Sequence, residues 1–575
     1  MRFILGLIIF WITIFGIKVF IENELKLNKK YSFLFSFTLI GLIEFFLGIL
    51  NIMKIGSLLI VVSSICYILN MLIKKKINLK KVANDLKNPK NIICTLVFTY
   101  ITIIGLNMHL THYDNFSHWG LIVKSIFLNN RLPNFENDYI LFKGYQPGSA
   151  CFIYFFGLLA GKTEISMIIA HNYLIFSYLT VLFNYVGKEQ RILKILIVVA
   201  FYIFVMTTSL ISFNNLLVDS LLAIMLIAGL LIVYEYRKDL KKAIYYSTPI
   251  MIYLLVIKNV GLVLSGIICI YILYISYMNK DLKKGVKYIS IISLILLATL
   301  LIWQGHVSIV YGNLALHSKH SLSAQNIIQS IKTLGIDNIL LFIKVYIRHF
   351  LSLANNTPNI YMLFLNSIFI ALGILSKEKN KIFKFLLVLD ILYLGYYVIL
   401  GLMYIFSMPW EEAKILAGYD RYMMTIINAI IGMSVFFIIN NKEKVKFINI
   451  IMIVIITLLL IPIKYNYKAF TSLIGNDGYK NSEVERFDKI IDKIPTDKNI
   501  YYIYSPSSKG DYGKLVHVSI YKLLKRNCIV IQDEKALKDV KENSYLILFD
   551  ELDNYDELLK DDYKKINDIV AIKSN

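Results

Sequence analysis

Long apolar runs, separated by short polar connections, follow one another along most of this chain. Most of the runs hold about 18 residues or more, enough for an α-helix to cross a hydrocarbon core of ~30 Å. The pattern therefore predicts a polytopic α-helical membrane protein with about 13–14 spans. The predicted spans are residues 1–20, 31–50, 57–73, 91–108, 165–186, 193–212, 218–236, 243–257, 260–278, 287–304, 359–376, 382–402, 421–440 and 447–463.

Composition and the placement of charge favour the same class. The mean hydropathy is +0.62 and 57% of the residues are hydrophobic, which is not typical of soluble domains. The net charge of +22 would suit a nucleic-acid-binding protein, but the lysines lie in short connections such as 74–81 and 237–242. Basic connections of this kind mark cytoplasmic loops. They orient the spans and do not indicate a nucleic-acid partner.

Three further features narrow the class. The first twenty residues are apolar and no small-residue cleavage site follows them, so we expect a retained helix and not a signal peptide. Four of the five cysteines lie in apolar runs and none forms a CxxC pair, so we expect neither a disulfide framework nor a zinc site. The excess of Ile, Lys, Asn and Tyr fits an AT-rich bacterial genome, and hence a multi-pass protein of a bacterial plasma membrane.

Two apolar segments are not counted as spans. If residues 74–90 are inside, the first large outer loop is 109–164. The loop at 187–192 is then cytoplasmic only if 148–160 does not cross the membrane. We therefore expect an interfacial or re-entrant helix at 148–160. Counting membrane crossings between the later basic loops in the same way predicts that 338–355 does not cross and forms a helix on the outer surface.

By composition, the chain divides into three parts. Residues 1–90 hold the N-terminal membrane helices, 91–463 the main transmembrane region with outer loop 109–164, and 464–575 a charged C-terminal region. Predicted strands alternate with helices in that last region, which indicates a small extracytoplasmic α/β domain with a mostly parallel sheet. No glycine-rich phosphate loop is present, so we expect no nucleotide site there. The strands are predicted at 499–505, 527–532, 544–550 and 568–573, and the helices at 482–494 and 512–525.

Polar and ionisable residues collect at the predicted outer ends of the spans. The first outer loop carries Asp114, His118 and Trp119, and then Lys143 and Tyr145. A transport path tends to spread its polar residues through the depth of the bundle, whereas an interfacial enzyme needs them at one surface. The grouping indicates a reaction site that faces water. The later outer segments contribute Asp219, Lys258, Lys319, His320, Glu411, Arg421 and Tyr422.

Several of these residues also have a purely structural interpretation. Asp114 can cap the helix that follows it, because Asp is a favoured N-cap residue. Arg421 can pair with Glu411 or Asp420, and Lys258 can extend to water from the end of a span. The tryptophans can belong to an interfacial aromatic belt. The functional interpretation depends on the residues sharing one side of the membrane.

In their order along the chain, these motifs resemble the GT-C superfamily of integral-membrane glycosyltransferases. The first motif is Asp114–Trp119, and the turn Tyr145–Gly148 with its short helix resembles the proline turn of that family. Asp219 matches a later acidic position. Residues Gly418–Tyr422 resemble an Arg-Tyr element near the lipid-phosphate site of many such enzymes. The resemblance covers roughly residues 91–463.

This chain departs from the family pattern at the first motif. Many relatives carry an acidic pair there, whereas Asn115 follows Asp114 here. Divalent metals prefer several carboxylate oxygens, so the departure weakens the case for a bound metal, and we expect no cofactor. The three spans before residue 74 are also additional to the simplest version of the fold.

The resemblance implies transfer of a sugar from a polyprenyl-phosphate donor to an extracytoplasmic wall polymer, glycolipid or protein, with inversion at the anomeric carbon. Asp114 is the candidate base, because a carboxylate in hydrogen-bond reach can take the proton of the attacking hydroxyl. Arg421 is the candidate phosphate ligand, with Lys258 as a second cation. Asp219, which is costly inside an apolar run, would orient the acceptor or His118.

The candidate residues form two groups. The candidate catalytic residues are Asp114, Asp219 and His118. The candidate substrate-binding residues are Arg421, Tyr422, Lys258, Trp119, Lys143, Tyr145, Lys319, His320 and Glu411.

Two other functions are compatible with the sequence. One is a polysaccharide polymerase or ligase of another membrane fold. The other is a flippase or exporter of lipid-linked sugars that makes and breaks no bond. A transporter of that kind is expected to have internal repeats and polar residues near the middle of the membrane, and the sequence has no evident repeat, so we favour an enzyme.

Overall fold

A bundle of helices forms most of the protein, and a small sheet domain follows it. The structure, a computed structural model, describes residues 1–208, 213–312, 324–353, 356–440, 448–462, 478–498, 500–508, 512–525, 527–550, 559 and 562–574. The bundle contains α1 (Arg2–Asn23), α2 (Lys29–Ile49), α3 (Met53–Ile73), α4 (Leu79–Leu86), α5 (Pro89–Gly105), α6 (Gly120–Asn129), α7 (Gly148–Ala160), α8 (Glu164–Phe183), α9 (Arg191–Thr207), α10 (Asp219–Glu235), α11 (Leu240–Ile257), α12 (Gly261–Met278), α13 (Leu282–Tyr311), α14 (Ala324–Leu351), α15 (Thr357–Leu375), α16 (Lys379–Ser407), α17 (Trp410–Ala413), α18 (Tyr419–Asn440) and α19 (Ile448–Leu460).

Helices occupy all fourteen predicted spans, which confirms the prediction of a polytopic helical protein. Ten helices of the described chain are long and apolar enough to cross a membrane. Of the other four, α5, α9 and α10 have 17 residues each and α19 has 13. Parts of the predicted spans 193–212 and 447–463 lie outside the described residues.

The short polar connections predicted between spans also start the helices that follow them. Asn28, Asn88, Thr163 and Asp239 each accept a backbone N–H of the next helix, α2, α5, α8 and α11 respectively. Such caps satisfy N–H groups that have no partner inside the helix. In these four helices a polar residue before the apolar run therefore sets where the helix begins.

Helix α7 is enclosed by α1, α2, α6 and α8, and eleven of its thirteen residues are buried. Helix α7 is therefore packed inside the bundle and not exposed on its surface. Gly148, at the start of α7, packs against the carbonyl of Val256, close to the end of α11. Beyond the other end of α7, the Lys162 ammonium donates to the carbonyl oxygen of Phe127 at 2.5 Å. Both ends of α7 thus lie near one end of the bundle, as either an interfacial or a re-entrant helix requires.

The predicted surface helix at 338–355 is part of α14, which bends at Gly335 (φ 69°). Its second half runs antiparallel to the last part of α16. The rings of Tyr346 and Tyr397 stack at 4.4 Å, and each hydroxyl donates to the other residue's carbonyl oxygen. The helix therefore lies alongside α16 and not flat across the bundle, because aromatic side chains on one of its faces fill the surface of α16.

The C-terminal domain has α20 (Glu483–Ile490), α21 (Tyr512–Leu523) and a five-stranded sheet of order β2-β1-β3-β5-β4. Strand β1 pairs in parallel with β2 and β3, whereas β5 pairs antiparallel with β3 and β4. The sheet is mixed, so the prediction of a mostly parallel sheet is wrong. The strands are β1 (Ile500–Tyr504), β2 (Asn527–Ile531), β3 (Tyr545–Leu548), β4 (Tyr563–Lys565) and β5 (Val570–Lys573).

Helix α10 shows how the two ends of the bundle differ. It begins at Asp219 and ends at Glu235, about 25 Å away at 1.5 Å per residue. The basic connection at 237–242 follows the Glu235 end. The end that starts with Asp219 carries most of the candidate residues.

Candidate functional site

Five short segments meet at the Asp219 end of the bundle. They are the π-helix Asn115–Trp119 with the residue before it, the start of α10, the turn between α11 and α12, the start of α18, and the turn before α7. A π-helix is rare and occurs often at functional sites. The segments come from distant parts of the sequence, and charged side chains join four of them.

Asp114 and Arg421 form an ion pair across 307 residues of sequence. Arg421 Nη1 donates to Asp114 Oδ2, and the backbone N–H of Asp114 donates to His112 Nδ1 at 3.2 Å. The Asp114 carboxylate makes no capping hydrogen bond to the π-helix. Asp114 stands at the N-cap position but its side chain does not cap the helix, and Arg421 pairs with Asp114 and not with Glu411 or Asp420.

Asp219 connects the same guanidinium to a second cation. Its side chain is 3% exposed, and its Oδ1 lies 3.0 Å from Lys258 Nζ. Its Oδ2 lies 3.8 Å from Arg421 Nε, too far for a hydrogen bond. Asp114, Arg421, Asp219 and Lys258 form a chain of two acids and two cations, which we call the ion network. Its formal charges sum to zero.

Tyr422 forms one wall of the ion network. Arg421 Nη2 donates to the Tyr422 hydroxyl at 3.0 Å, and Lys258 Nζ lies 5.2 Å from the centre of its ring. The chain turns into α18 at Gly418, whose φ of +73° favours glycine. A Cβ atom there would lie 3.1 Å from the Tyr422 ring. Gly418 therefore allows the backbone to turn and also leaves room for the Tyr422 ring.

His118 is enclosed by aromatic rings beside the ion network. Its ring lies 4.6 Å from Trp119, 5.3 Å from Phe142 and 4.8 Å from Tyr145, between ring centres. It is 4% exposed, and neither ring nitrogen has a hydrogen-bond partner among the described residues. Burial, together with the positive charge of Lys258, lowers the pKa of His118 to about 3. The neutral ring offers one donor and one acceptor to a bound molecule.

Neutral side chains hold the segments around the ion network in place. Asn115 Oδ1 accepts the backbone N–H of Leu216 at 2.9 Å, three residues before Asp219. Gln146 donates to Asn259 Oδ1 at 2.6 Å and so links the turn before α7 to the turn that carries Lys258. We had not assigned a role to Asn115 or Gln146. An amide in a short connection looks like any turn residue, and the sequence carries no signal for its partner.

Some predicted residues lie away from the ion network. Glu411 is 75% exposed and pairs with Lys414. Lys143 Nζ donates to the Ile140 carbonyl at 2.9 Å and lies 5.8 Å from the centre of the Tyr311 ring. These contacts of Glu411 and Lys143 are with groups outside the ion network. Trp119 and Tyr145 contribute to the aromatic enclosure, and Lys319 and His320 lie outside the described residues.

The residues near Asp114 do not match what a divalent metal requires. Many of the proteins that the sequence resembles have a second acid at the position of Asn115, whose Oδ1 here accepts a backbone N–H. Both carboxylates of the ion network are bound by cations. Within the described residues, no group of three His, Cys, Asp or Glu side chains could hold a metal ion. A metal site at this place is therefore not supported by the donor set.

Comparison of the chain with models of known families, with curated proteins and with solved structures finds no match. The resemblance stated above stays a prediction. Function has to be inferred from the geometry and chemistry of the ion network and the residues around it.

Proposed function

We propose that the protein is a membrane glycosyltransferase that moves a sugar from a polyprenyl-phosphate donor to an acceptor outside the cytoplasm. The observation that carries the proposal is the ion network, in which one arginine lies between two carboxylates at the end of a helix bundle. The opposite end bears the basic connections that mark the cytoplasmic side. The acceptor would be a wall polymer, a glycolipid or a protein.

Asp114 is suited to act as the general base. In the transfer, the acceptor oxygen attacks the anomeric carbon of the sugar and gives its proton to the Asp114 carboxylate. The bond between the anomeric carbon and the phosphate oxygen breaks, and polyprenyl phosphate leaves with the electron pair. The phosphate gains one negative charge while Asp114 loses one. The net charge of the site is thus unchanged.

Arg421 and Lys258 are suited to bind the donor phosphate. The guanidinium has five N–H donors in a planar fork that can hold two phosphate oxygens at once. Preorganised cations stabilise the negative charge that grows on the leaving group. In the structure Arg421 is bound to Asp114. A phosphate competes for the same N–H groups, so donor binding weakens that pair and frees the carboxylate to act as a base.

Asp219 and His118 complete the site. Asp219 keeps Lys258 in place through the contact of 3.0 Å, which leaves Lys258 free to turn two of its three N–H groups elsewhere. His118, neutral and without a partner among the described residues, can hydrogen-bond a sugar hydroxyl. The rings of Trp119 and Tyr145 beside it offer apolar faces of the kind that pack on sugar rings.

A panel of polyprenyl-phosphate sugars, incubated with the purified protein and candidate acceptors, tests the proposal. We expect loss of one donor with release of polyprenyl phosphate and formation of a glycosylated acceptor. If no donor is consumed, but the protein moves lipid-linked sugars across the bilayer of proteoliposomes, the flippase alternative replaces the transferase. A product that grows by repeated transfer of the same unit would instead identify a polymerase.

A further inference from the structure

We propose that the C-terminal domain is a brace that fixes the position of Asp114 from behind the site. The proposal rests on the proposed function, because it assigns a purpose to the position of Asp114. The contacts that carry the proposal are made by Phe116, Lys124 and Glu164 of the membrane part and by Tyr521 and Lys522 of the domain. We call these five residues the brace interface.

The first contact lies directly behind the π-helix. Phe116, two residues after Asp114, is fully buried, and its ring meets the edge of the Tyr521 ring at 5.3 Å. Tyr521 is 1% exposed and lies in the last turn of α21. A π-helix has longer and less regular hydrogen-bonding than an α-helix, so its shape depends on what packs against it. Tyr521 supplies that packing from outside the bundle.

The second contact ties α6 to the end of α21. Lys124 Nζ donates to the carbonyl oxygens of Tyr521 at 2.7 Å and Lys522 at 3.2 Å, and lies 4.6 Å from the centre of the Tyr521 ring. The last carbonyls of a helix lack partners within the helix and carry the negative end of its dipole. An ammonium group from another element satisfies both requirements. Lys124 is therefore a cap for a helix of the C-terminal domain.

The third contact reaches the other side of Asp114. Lys522 Nζ lies 2.6 Å from Asp488 of the domain and 3.4 Å from Glu164, the first residue of α8. The second oxygen of Glu164 accepts the backbone N–H of Leu110 at 3.3 Å. The chain is thus connected to the domain at Leu110, Phe116 and Lys124. Asp114 lies between the first two of these points.

The domain acts on the site through the backbone only. No hydrogen bond or ion pair joins its described residues to Asp114, Asp219, Lys258 or Arg421. The residues of the brace interface are therefore positioning residues and not catalytic residues. Arg421 holds the Asp114 carboxylate from the bundle side, while the domain holds the backbone on either side of it.

Hydrogen–deuterium exchange on the full-length protein in detergent tests the brace without any substrate. Lys124→Met keeps the apolar stem and removes the ammonium group. We expect the amides of Asn115–Trp119 to exchange roughly tenfold faster, the equivalent of losing a hydrogen bond to a charged group. Lys489→Met is the matched control, because Lys489 lies in the same domain with its side chain 69% exposed. Its exchange in this segment should equal that of the wild type.

Kinetics separate positioning from general loss of structure. Lys124→Met should lower kcat about tenfold while the donor KM changes less than twofold, since the phosphate ligands are untouched. Lys124→Arg should recover most of the rate, because a guanidinium can donate to the same two carbonyls. Failure of the arginine variant to recover the rate, with Met and Arg variants equally folded, would contradict the positioning role.

A second variant covers the case in which Lys124→Met does not fold. Glu164→Gln removes the charge that Lys522 binds and should also speed exchange in Asn115–Trp119. Exchange at the wild-type rate in every folded variant of the brace interface overturns the brace, whatever the activity. Faster exchange in these variants, together with a wild-type protein that transfers no sugar, overturns the proposed function and leaves the brace intact. The two outcomes are thus distinguishable.

Discussion

Two polar clusters lie at opposite ends of α10, and they differ in how completely their hydrogen bonds are made. At the end with the basic connections, Glu235 accepts two hydrogen bonds from Lys30, both of 3.0 Å. It accepts two more from Asn28 and Tyr185, of 3.2 and 3.0 Å. The Tyr185 hydroxyl also contacts that of Tyr31. Every oxygen of this carboxylate therefore has two partners.

The cluster at the Asp219 end is left incomplete. Five buried polar atoms of this cluster have no hydrogen-bond partner among the described residues. They are Asp219 Oδ2, Arg421 Nε, Asn115 Nδ2 and the two ring nitrogens of His118. A buried polar atom without a partner costs about 1–3 kcal/mol. A bound molecule could satisfy such groups, whereas each oxygen of the Glu235 carboxylate already accepts two hydrogen bonds.

The difference teaches that a cluster of charged residues at the end of a helix does not by itself identify a site. Both ends of α10 carry an acid, a lysine and tyrosines, with Asp219 buried and Glu235 half-buried. The Glu235 cluster joins α2, α8 and α10 and stabilises their packing, as fully satisfied networks do. The Asp219 cluster joins segments that are distant in sequence but leaves donors and acceptors unused. Unused hydrogen-bonding capacity, and not charge, distinguishes the candidate site from a structural network.

Replacement of Asp114 by Asn should show the largest difference in function between the two ends of α10. The variant keeps the shape of the side chain but cannot take a proton, so we expect sugar transfer to fall by about 10²–10⁴-fold, as for loss of a general base. Expression and membrane insertion should be normal. Turnover is measured with the purified protein and its preferred donor. Turnover close to that of the wild type would remove Asp114 from the role of base.

Arg421→Ala should weaken use of the donor more than use of the acceptor. Removing one charge-stabilising group from an active site typically costs about 10²–10³-fold in rate. We expect much of this loss to lie in donor KM, because arginine suits phosphate. Arg421→Lys is the informative companion, since it keeps the charge but loses the two-pronged geometry. An equal loss for both substrates in steady-state kinetics would contradict a phosphate-binding role.

Glu235→Gln provides the opposite test at the other end of α10. It removes the charge that Lys30 binds and should lower the free energy of unfolding by about 1–3 kcal/mol, the usual cost for a hydrogen-bonded charge. Sugar transfer per folded molecule should not change. Thermal unfolding in detergent and turnover are measured on the same preparations. A large loss of turnover in a stably folded variant would show that this cluster also has a functional role.

The sequence predicts the helices well because their signal is local. An apolar run of sufficient length and a capping residue before it are both visible without knowledge of the fold. Strand β4 (Tyr563–Lys565) was missed because it is short and polar, as an edge strand often is. The pairing direction of β5 depends on the path of the chain between strands, which propensity does not encode.

The sequence predicts the charged residues of the site better than the neutral residues that hold them in place. A carboxylate such as Asp219 inside an apolar run is unusual enough to be noticed, and its partners Lys258 and Arg421 stand at the ends of other spans. The amide of Asn115 shows no such contrast with its surroundings. Its role comes from a contact with Leu216, 101 residues away, and only the folded structure brings the two together.

Asn115→Ala should have a smaller effect than changes within the ion network. Loss of the hydrogen bond to Leu216 frees the segment before Asp219, and we expect kcat to fall about tenfold, the equivalent of one net hydrogen bond. Asn115→Asp keeps an oxygen acceptor but adds a buried negative charge beside Asp114, so it should not restore the rate. Recovery in the Asp variant would indicate that the position tolerates a carboxylate, as in the family it resembles. Steady-state kinetics on both variants decide between these outcomes.

The pH dependence of stability should show the effect of burying His118. Burial and the charge of Lys258 lower its pKa to about 3, whereas a histidine in an unfolded chain has a pKa near 6.5. Between these values only the unfolded state binds the proton, so stability falls as pH falls below about 6.5, by at most ~1.4 kcal/mol per pH unit. His118→Phe suits the surrounding rings and removes the titrating group. The decrease in unfolding temperature between about pH 7 and pH 5 should therefore be smaller in the variant. An equal decrease in both proteins would mean that His118 takes up a proton in the folded state, which requires water or a carboxylate beside its ring.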